Sequence, residues 1–137
     1  MKYLECSSKG DKRFSAFYAK VDCYGVIDSI ENIYQSVKRN GLGEKVGKGK
    51  KVEYISINGH ILDPKFLTPF YKLLWCKYLD NNPELVEYAK DFDVFTDMFR
   101  GKCINCQADV IRDYVKKGRR YILDSSDVQE LLNILKS

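Results

Sequence analysis

The chain has 137 residues, 45% of them hydrophobic and 13% aromatic, which fits one globular domain with its own core and excludes a disordered chain. A formal net charge of +4, from 23 basic and 19 acidic residues, admits a phosphate-bearing ligand but falls short of a dedicated nucleic-acid-binding profile. No apolar run reaches the roughly 20 residues of a membrane span, residues 1–6 lack the apolar stretch of a signal peptide, and five irregularly spaced cysteines read as reduced thiols in a cytoplasm.

In chain order, a first strand is expected over residues 2–6. Residues 14–21 mix aromatic with small side chains and read as a partly buried loop or strand, continued by Val21, Cys23 and Val26 as far as Asp28. Residues 29–40 read as a helix with two stripes. Ile30, Ile33, Tyr34 and Val37 recur at the spacing of a core-facing side. Glu31, Gln35 and Lys38 point within roughly 60° of one another at about 100° per residue. An acid, an amide and an amine would then stand where the helix leaves the core, at the wall of any cleft beside it. The same residues also suit helix ends, with Asp28 as N-cap, Glu31 as its capping-box partner, and Lys38 in the last turn before Asn40-Gly41.

Residues 41–51 hold four glycines and four lysines and read as a mobile basic loop, either simply solvated or a flap over a phosphate held by Lys45, Lys48 and Lys50. The Gly-Lys-Ser/Thr ending of a P-loop is missing. Residues 52–57 alternate as a strand, Asn58-Gly59 is a hairpin-turn signal, and the only histidine, His60, reads as a surface residue. Asp63-Pro64 and Thr68-Pro69 are N-cap and first-turn pairs, for a short helical turn and then a longer helix through Leu79. Within it Trp75, the only tryptophan, reads as core packing or as a ring stacked on a base. Asn82-Pro83 starts another helix over residues 84–90. No period settles residues 91–101. Asn105 is a candidate N-cap for a helix to Lys117, closed by Gly118, with Val110, Ile111, Tyr114 and Val115 on its core side. Cys103-Ile104-Asn105-Cys106 lacks the second cysteine pair or the histidines of a structural zinc site, so no metal is expected. A strand over residues 120–123 and a last helix, opened by the capping box Ser126-Asp127-Val128-Gln129, complete the chain.

Phe14-Ser15-Ala16-Phe17-Tyr18 followed by Ser29, Glu31, Gln35 and Lys38 resembles the opening of the NADAR family, in which a motif like S-N-F-Y precedes S-V-E-H-x-x-Q-A-x-K. The run from Leu74 to Leu85, with Lys77 and Asn82-Pro83, resembles that family's K-F-x-x-N-P-x-L segment. Asp97, Asn105 and Arg112 are the nearest counterparts of its later acid, Gly-x-Asn and arginine, although the usual Trp-Gly after the acid is absent and the spacing from Asn105 to Arg112 is short. The resemblance covers about residues 14–117. It implies an N-glycosidase that cleaves a base from a phosphorylated ribose or from ADP-ribose, some members removing ADP-ribose from guanine in DNA. It also implies catalytic roles for Glu31 and Lys38, and a substrate site containing Ser15, Phe17, Tyr18, Gln35, Trp75, Asp97, Asn105 and Arg112.

The chemistry suits these residue types. Breaking an N-glycosidic bond passes through a cation-like sugar that a carboxylate stabilises, and a lysine can form a Schiff base with an opened ribose. Neither needs a metal or a cofactor. The expectation is therefore a single helix-rich α+β domain over residues 1–137 with a small sheet or hairpin, NADAR-like, in which residues 28–40 wall the main pocket. It would be a cytoplasmic hydrolase whose partner is an ADP-ribose-containing or phosphoribosyl ligand, free or carried on DNA. Two other readings use the same residues: a protein of the same fold that sequesters an ADP-ribose-like nucleotide without cleaving it, and a nucleic-acid-binding module built on the lysine loop.

Overall fold

The computed structural model describes residues 1–47, 49–98 and 107–136, so the expectations for Lys48, Cys103, Asn105 and Cys106 lie outside the described residues. One helix sets the architecture. Asp63 caps a 3-10 turn, Pro64–Phe66, through its side chain, and the chain runs directly on into α2, Leu67–Asp80. Thr68-Pro69 therefore falls within the first turn of α2 rather than at its start. A proline is tolerated there because first-turn N–H groups have no partner inside the helix. Phe70, Tyr71, Leu74, Trp75, Tyr78 and Leu79 of α2 are all buried.

Five more helices and a strand hairpin pack against α2, and the described residues form three small sheets in all. Strand β1, Tyr3–Glu5, pairs in parallel with β7, Val94–Thr96, setting the buried Leu4 opposite the buried Phe95. Strands β2, Lys20–Cys23, and β3, Val26–Ser29, form a hairpin turned by Tyr24-Gly25 with φ of 50° and 86°. Strands β4, Lys38–Arg39, β5, Tyr54–Ile57, and β6, His60–Leu62, form the third sheet, antiparallel throughout. Its β5–β6 turn is the expected Asn58-Gly59, at φ of 47° and 84°, the left-handed pair whose twist matches that of the strands. The other helices are α1, Ile30–Ser36, α3, Pro83–Ala89, α4, Gln107–Lys117, α5, Arg119–Leu123, and α6, Ser126–Leu135. Among the described residues the domain is thus α+β with six helices, and no helix is long and apolar enough to cross a membrane.

Two expectations for the tail are corrected. Residues 120–123 are helical, not a strand. Gly118, at φ 95°, ends α4 and turns the chain into α5, which buries Ile122 and Leu123 against α2. Over so few residues an apolar pair cannot tell one helical turn from a strand. The last helix has Ser125, not Ser126, in the N-cap position with no side-chain cap bond, and Gln129 donates its side-chain amide to the Leu123 carbonyl instead of closing a capping box.

After β1 the chain folds back on itself. Gly10 N donates to the Ser7 carbonyl at 3.0 Å and Asp11 N to the Glu5 carbonyl at 3.0 Å. A Cβ added at Gly10 would lie 2.2 Å from the Glu5 carbonyl oxygen, a backbone atom that cannot swing away. Gly10→Ala is expected to destabilise the domain by roughly 2 kcal/mol or more, the scale of forced overpacking. Urea denaturation checks this, and an unchanged midpoint would mean that the turn relaxes freely.

Candidate functional site

The site is built on a loop rather than on a helix face. In residues 15–19 the Ser15 carbonyl accepts from Tyr18 N at 3.0 Å and Ala19 N at 2.8 Å, and the Ser15 hydroxyl accepts from Phe17 N at 3.3 Å. The outward carbonyls of this loop then cap α1. Glu31 N donates to Ala16 O at 2.9 Å and Ile30 N to Ala19 O at 2.8 Å, while Asn32 N donates to the Ser29 hydroxyl at 3.1 Å. Three N–H groups that a helix start leaves without internal partners are satisfied in this way. Ser29 is the N-cap, which corrects the expectation for Asp28. The Asp28 carboxylate instead accepts from Asn32 Nδ2 at 3.0 Å and from Ser29 N at 2.7 Å, and these two bonds hold it below its ordinary range.

The same loop is held from its other side. Ala16 N donates to Gln107 Oε1 at 2.7 Å, and Gln107 Nε2 donates to Asp97 Oδ2 at 3.0 Å. Both side chains are almost sealed from solvent, at 6% and 7% exposure. One buried amide thus joins Asp97 to the loop that caps the helix of Glu31. The residue missed from sequence is Gln107. The signal was available, because Gln107 lies on the stripe of Val110 and Ile111, where a polar residue is out of place unless it is bonded.

Asp97 is braced by its neighbours. The Glu5 carboxylate accepts from Thr96 Oγ1 at 2.8 Å, Met98 N at 3.0 Å and Ser7 N at 3.1 Å. Burial works against its charge, but the hydrogen bonds from Ser7, Thr96 and Met98 prevail, and its carboxyl is held below the ordinary value. A lowered folded-state value means that this brace contributes its full stability above the unfolded-chain value and loses it as pH falls through the folded one. Wild type is therefore expected to exceed Glu5→Gln in denaturation midpoint at neutral pH, with the gap closing below about pH 4. A gap constant with pH would remove the charge from the account.

The stripe of Glu31, Gln35 and Lys38 is only partly realised. Gln35 Nε2 donates to Glu31 Oε1 at 3.1 Å, and Gln35 Oε1 is buried without a partner among the described residues. Helix α1 stops at Ser36, however, and Lys38 lies in β4, so the three residues do not share one helix edge. The reason is strand pairing. Ser56 N donates to the Val37 carbonyl at 2.9 Å and Lys38 stands opposite the fully buried Ile55, so joining a core sheet prevails over one more exposed helical turn. Lys38 nevertheless returns to α1, with Nζ 4.7 Å from the centre of the Tyr34 ring. All three side chains are half-buried.

Of the remaining expected site residues, Phe17 and Tyr18 present rings that are 53% and 49% exposed beside the start of α1, with Lys12 Nζ 4.8 Å over the Tyr18 ring. Ser15 is fully buried and shapes the loop, which corrects its expected contact with a ligand. Trp75 is 0% exposed, its ring edge-on to Tyr78 at 5.5 Å. It belongs to the core and not to a base-stacking surface. Arg112 is engaged with its own helix, 3.2 Å from Asp109 and 3.0 Å from Asp113, and no described contact joins it to the site.

The described part of the lysine loop is folded back beside β4. Asn40 Oδ1 accepts from Leu42 N and Glu44 N, Lys45 bridges Arg39, and Val46 N donates to the Lys38 carbonyl at 3.3 Å. Lys45 and Lys50 are exposed there. A cavity of about 740 Å³ lies between α2, α4 and α5, and another of about 530 Å³ between α2, α5 and α6. Neither includes Glu31, Gln35 or Lys38 in its described lining, and residues 28–40 wall neither of these two cavities, contrary to expectation. Tyr71 lines the larger one, and its ring meets that of Tyr34 edge-on at 5.1 Å.

No family model matches the chain, and no curated protein matches it.

Burial of Trp75 makes a test available. Trp75→Ala is expected to cost about 3–5 kcal/mol, as for other fully buried aromatics. Trp75→Phe, which keeps a ring in the core, is expected to leave ligand affinity within about threefold, less than the 1 kcal/mol a lost stacking contact would cost. Titration of both variants with ADP-ribose in a calorimeter reads this directly, and a large affinity loss in the Phe variant would return Trp75 to the binding surface.

Proposed function

We propose that the protein is an N-glycosidase of the NADAR kind, acting on a nucleobase joined to ADP-ribose, with ADP-ribosylated guanine in DNA as the leading substrate. The observation that carries this reading is the double bonding of Ala16. It draws the aromatic loop of residues 14–18, Glu31 and Asp97, which stand far apart in sequence, into one connected unit. These are residues that the motif resemblance assigns to a common site. Support also comes from the half-buried Glu31–Gln35 pair at the first turn of α1, beside the exposed rings of Phe17 and Tyr18.

In this reading the Glu31 carboxylate faces the ribose and stabilises positive charge developing at its anomeric carbon as the base leaves. Gln35, holding Glu31 through its amide nitrogen, fixes the direction of that carboxylate. Water adds to the anomeric carbon as the base departs with a proton. Lys38, reaching the same sugar from β4 rather than from the helix, adds its amine to the aldehyde of the ring-opened ribose and expels water to form a Schiff base, which water hydrolyses to release ADP-ribose. Phe17 or Tyr18 stacks on the base. Lys45 and Lys50, on the segment running beside Lys38, accept the phosphates.

The test is turnover. Wild type is incubated with an ADP-ribosylated oligonucleotide and with free nucleotides, and released ADP-ribose is measured. Glu31→Gln and Lys38→Ala are each expected to lower turnover by at least about a hundredfold, roughly 3 kcal/mol of barrier. Stability should fall by less than about 1 kcal/mol in each, since Glu31→Gln can keep a bond to Gln35 and Lys38 contributes a partly exposed cation–π contact. Borohydride added with substrate should fix a ribose-derived adduct on Lys38, visible by mass spectrometry. Stoichiometric retention of ADP-ribose without release identifies a binding protein instead. Absence of both binding and release removes the reading.

A further inference from the structure

We infer that Gln107 is a positioning residue of this site, holding Asp97 and the Ser15–Ala19 loop in fixed relation so that Glu31 meets the substrate; the inference rests on the N-glycosidase reading. Gln107 opens α4 on the side of that helix that carries Ala108 and Ile111 into the core, yet its amide is polar at both ends. Its oxygen accepts from Ala16 N at 2.7 Å and its nitrogen donates to Asp97 Oδ2 at 3.0 Å. A buried primary amide satisfied at both ends in this way can hold only one orientation. Reversing it would set its oxygen against a carboxylate and its NH2 against an N–H.

The clasp reaches Glu31 by one further bond, because Glu31 N donates to the Ala16 carbonyl at 2.9 Å. Displacing Gln107 therefore frees Ala16, and with it the cap of α1. A helix of seven residues has little stability of its own, so the position of its first turn depends on what caps it. Gln107 itself is buried away from solvent and touches no reacting atom. Its effect passes through Ala16 to Glu31 and, by the other arm, through the carboxylate of Asp97. The other titratable groups around the Asp97 arm are Cys6, the residue after β1, with Glu5 and Asp11, and Glu31 of α1 joins the clasp through its backbone N–H. Burial, with the carboxylates of Glu5, Asp97 and Asp11 adding to it, pushes the Cys6 thiol well up, so it stays neutral in ordinary buffers.

Gln107→Glu distinguishes positioning from simple packing, because it keeps the shape and makes the donating arm depend on a proton. A protonated carboxylic acid can still accept from Ala16 N and donate to Asp97. An ionised one sets two carboxylates against each other. Wild type and Gln107→Glu are assayed on the ADP-ribosylated oligonucleotide from about pH 5 to pH 8.5, at a temperature where circular dichroism shows both fully folded. The expected result is a variant-to-wild-type kcat ratio below about one tenth at the alkaline end that rises at least severalfold toward the acid end, with KM changed much less than kcat. Gln107→Met, which lacks both arms, should show the loss without the acid recovery. Equal profiles for wild type and Gln107→Glu, or a low ratio that does not change with pH, overturn the positioning role and leave the glycosidase reading standing. A wild type that neither cleaves nor binds the oligonucleotide overturns both.

Discussion

Helix α2 buries eight of its fourteen residues, and β2, α1, α3, α4, α5 and α6 all pack on it. None of these elements is long enough to be stable alone. A hairpin strand of four residues and helices of five to eleven fall below the lengths at which isolated hairpins or helices persist in water. Their order is therefore borrowed from α2. That is why Trp75, fully enclosed, and the neighbouring Phe70, Leu74 and Leu79 matter to parts of the chain they never touch.

The site depends on this core at one remove. Helix α1 is set against α2 by Ile30, Ile33 and the edge-on meeting of Tyr34 with Tyr71. Strand β7, which ends one residue before Asp97, is set by its pairing with β1 and by its contact with α4. Both pieces lean on α2, one directly and the other through α4, and the loop of residues 15–19 adds a direct tie between them. That loop spans them with backbone hydrogen bonds to α1 and with the Gln107 amide to Asp97. The site is a bridge between two separately anchored pieces, and its geometry is that of the bridge.

Much of the fold was legible because local chemistry decided it. Asn58-Gly59 turns a hairpin since both residues accept positive φ, and Asp63-Pro64 and Asn82-Pro83 start helical turns for reasons internal to those residues. What escaped was decided by partners distant in sequence. Val37 and Lys38 continue an apparent helical stripe, yet they join β5 because a buried strand seventeen residues later offers them a ladder. Tyr24-Gly25 turns the β2–β3 hairpin with a tyrosine at φ 50°, which no turn signal predicts. Gln107 looks like an ordinary polar residue until Ala16 and Asp97, at sequence separations of 91 and 10 residues, are brought to its two ends. In the candidate site the individual residues Glu31, Gln35 and Asp97 were legible, but their means of connection was not.

Ala16 explains why. Where the resembled motif has an asparagine, this chain has an alanine, whose methyl group makes no hydrogen bond and is 2% exposed. Everything Ala16 contributes comes from its backbone N–H and C=O, which every residue but proline possesses, so its identity in the sequence carries almost no functional signal. The constraint is instead on size. A side chain larger than a methyl at this sealed position would push the loop away from Gln107 on one side or from the first turn of α1 on the other, and either shift would separate Asp97 from Glu31. A site assembled from backbone groups is held by packing, and packing is the property that motif letters record least.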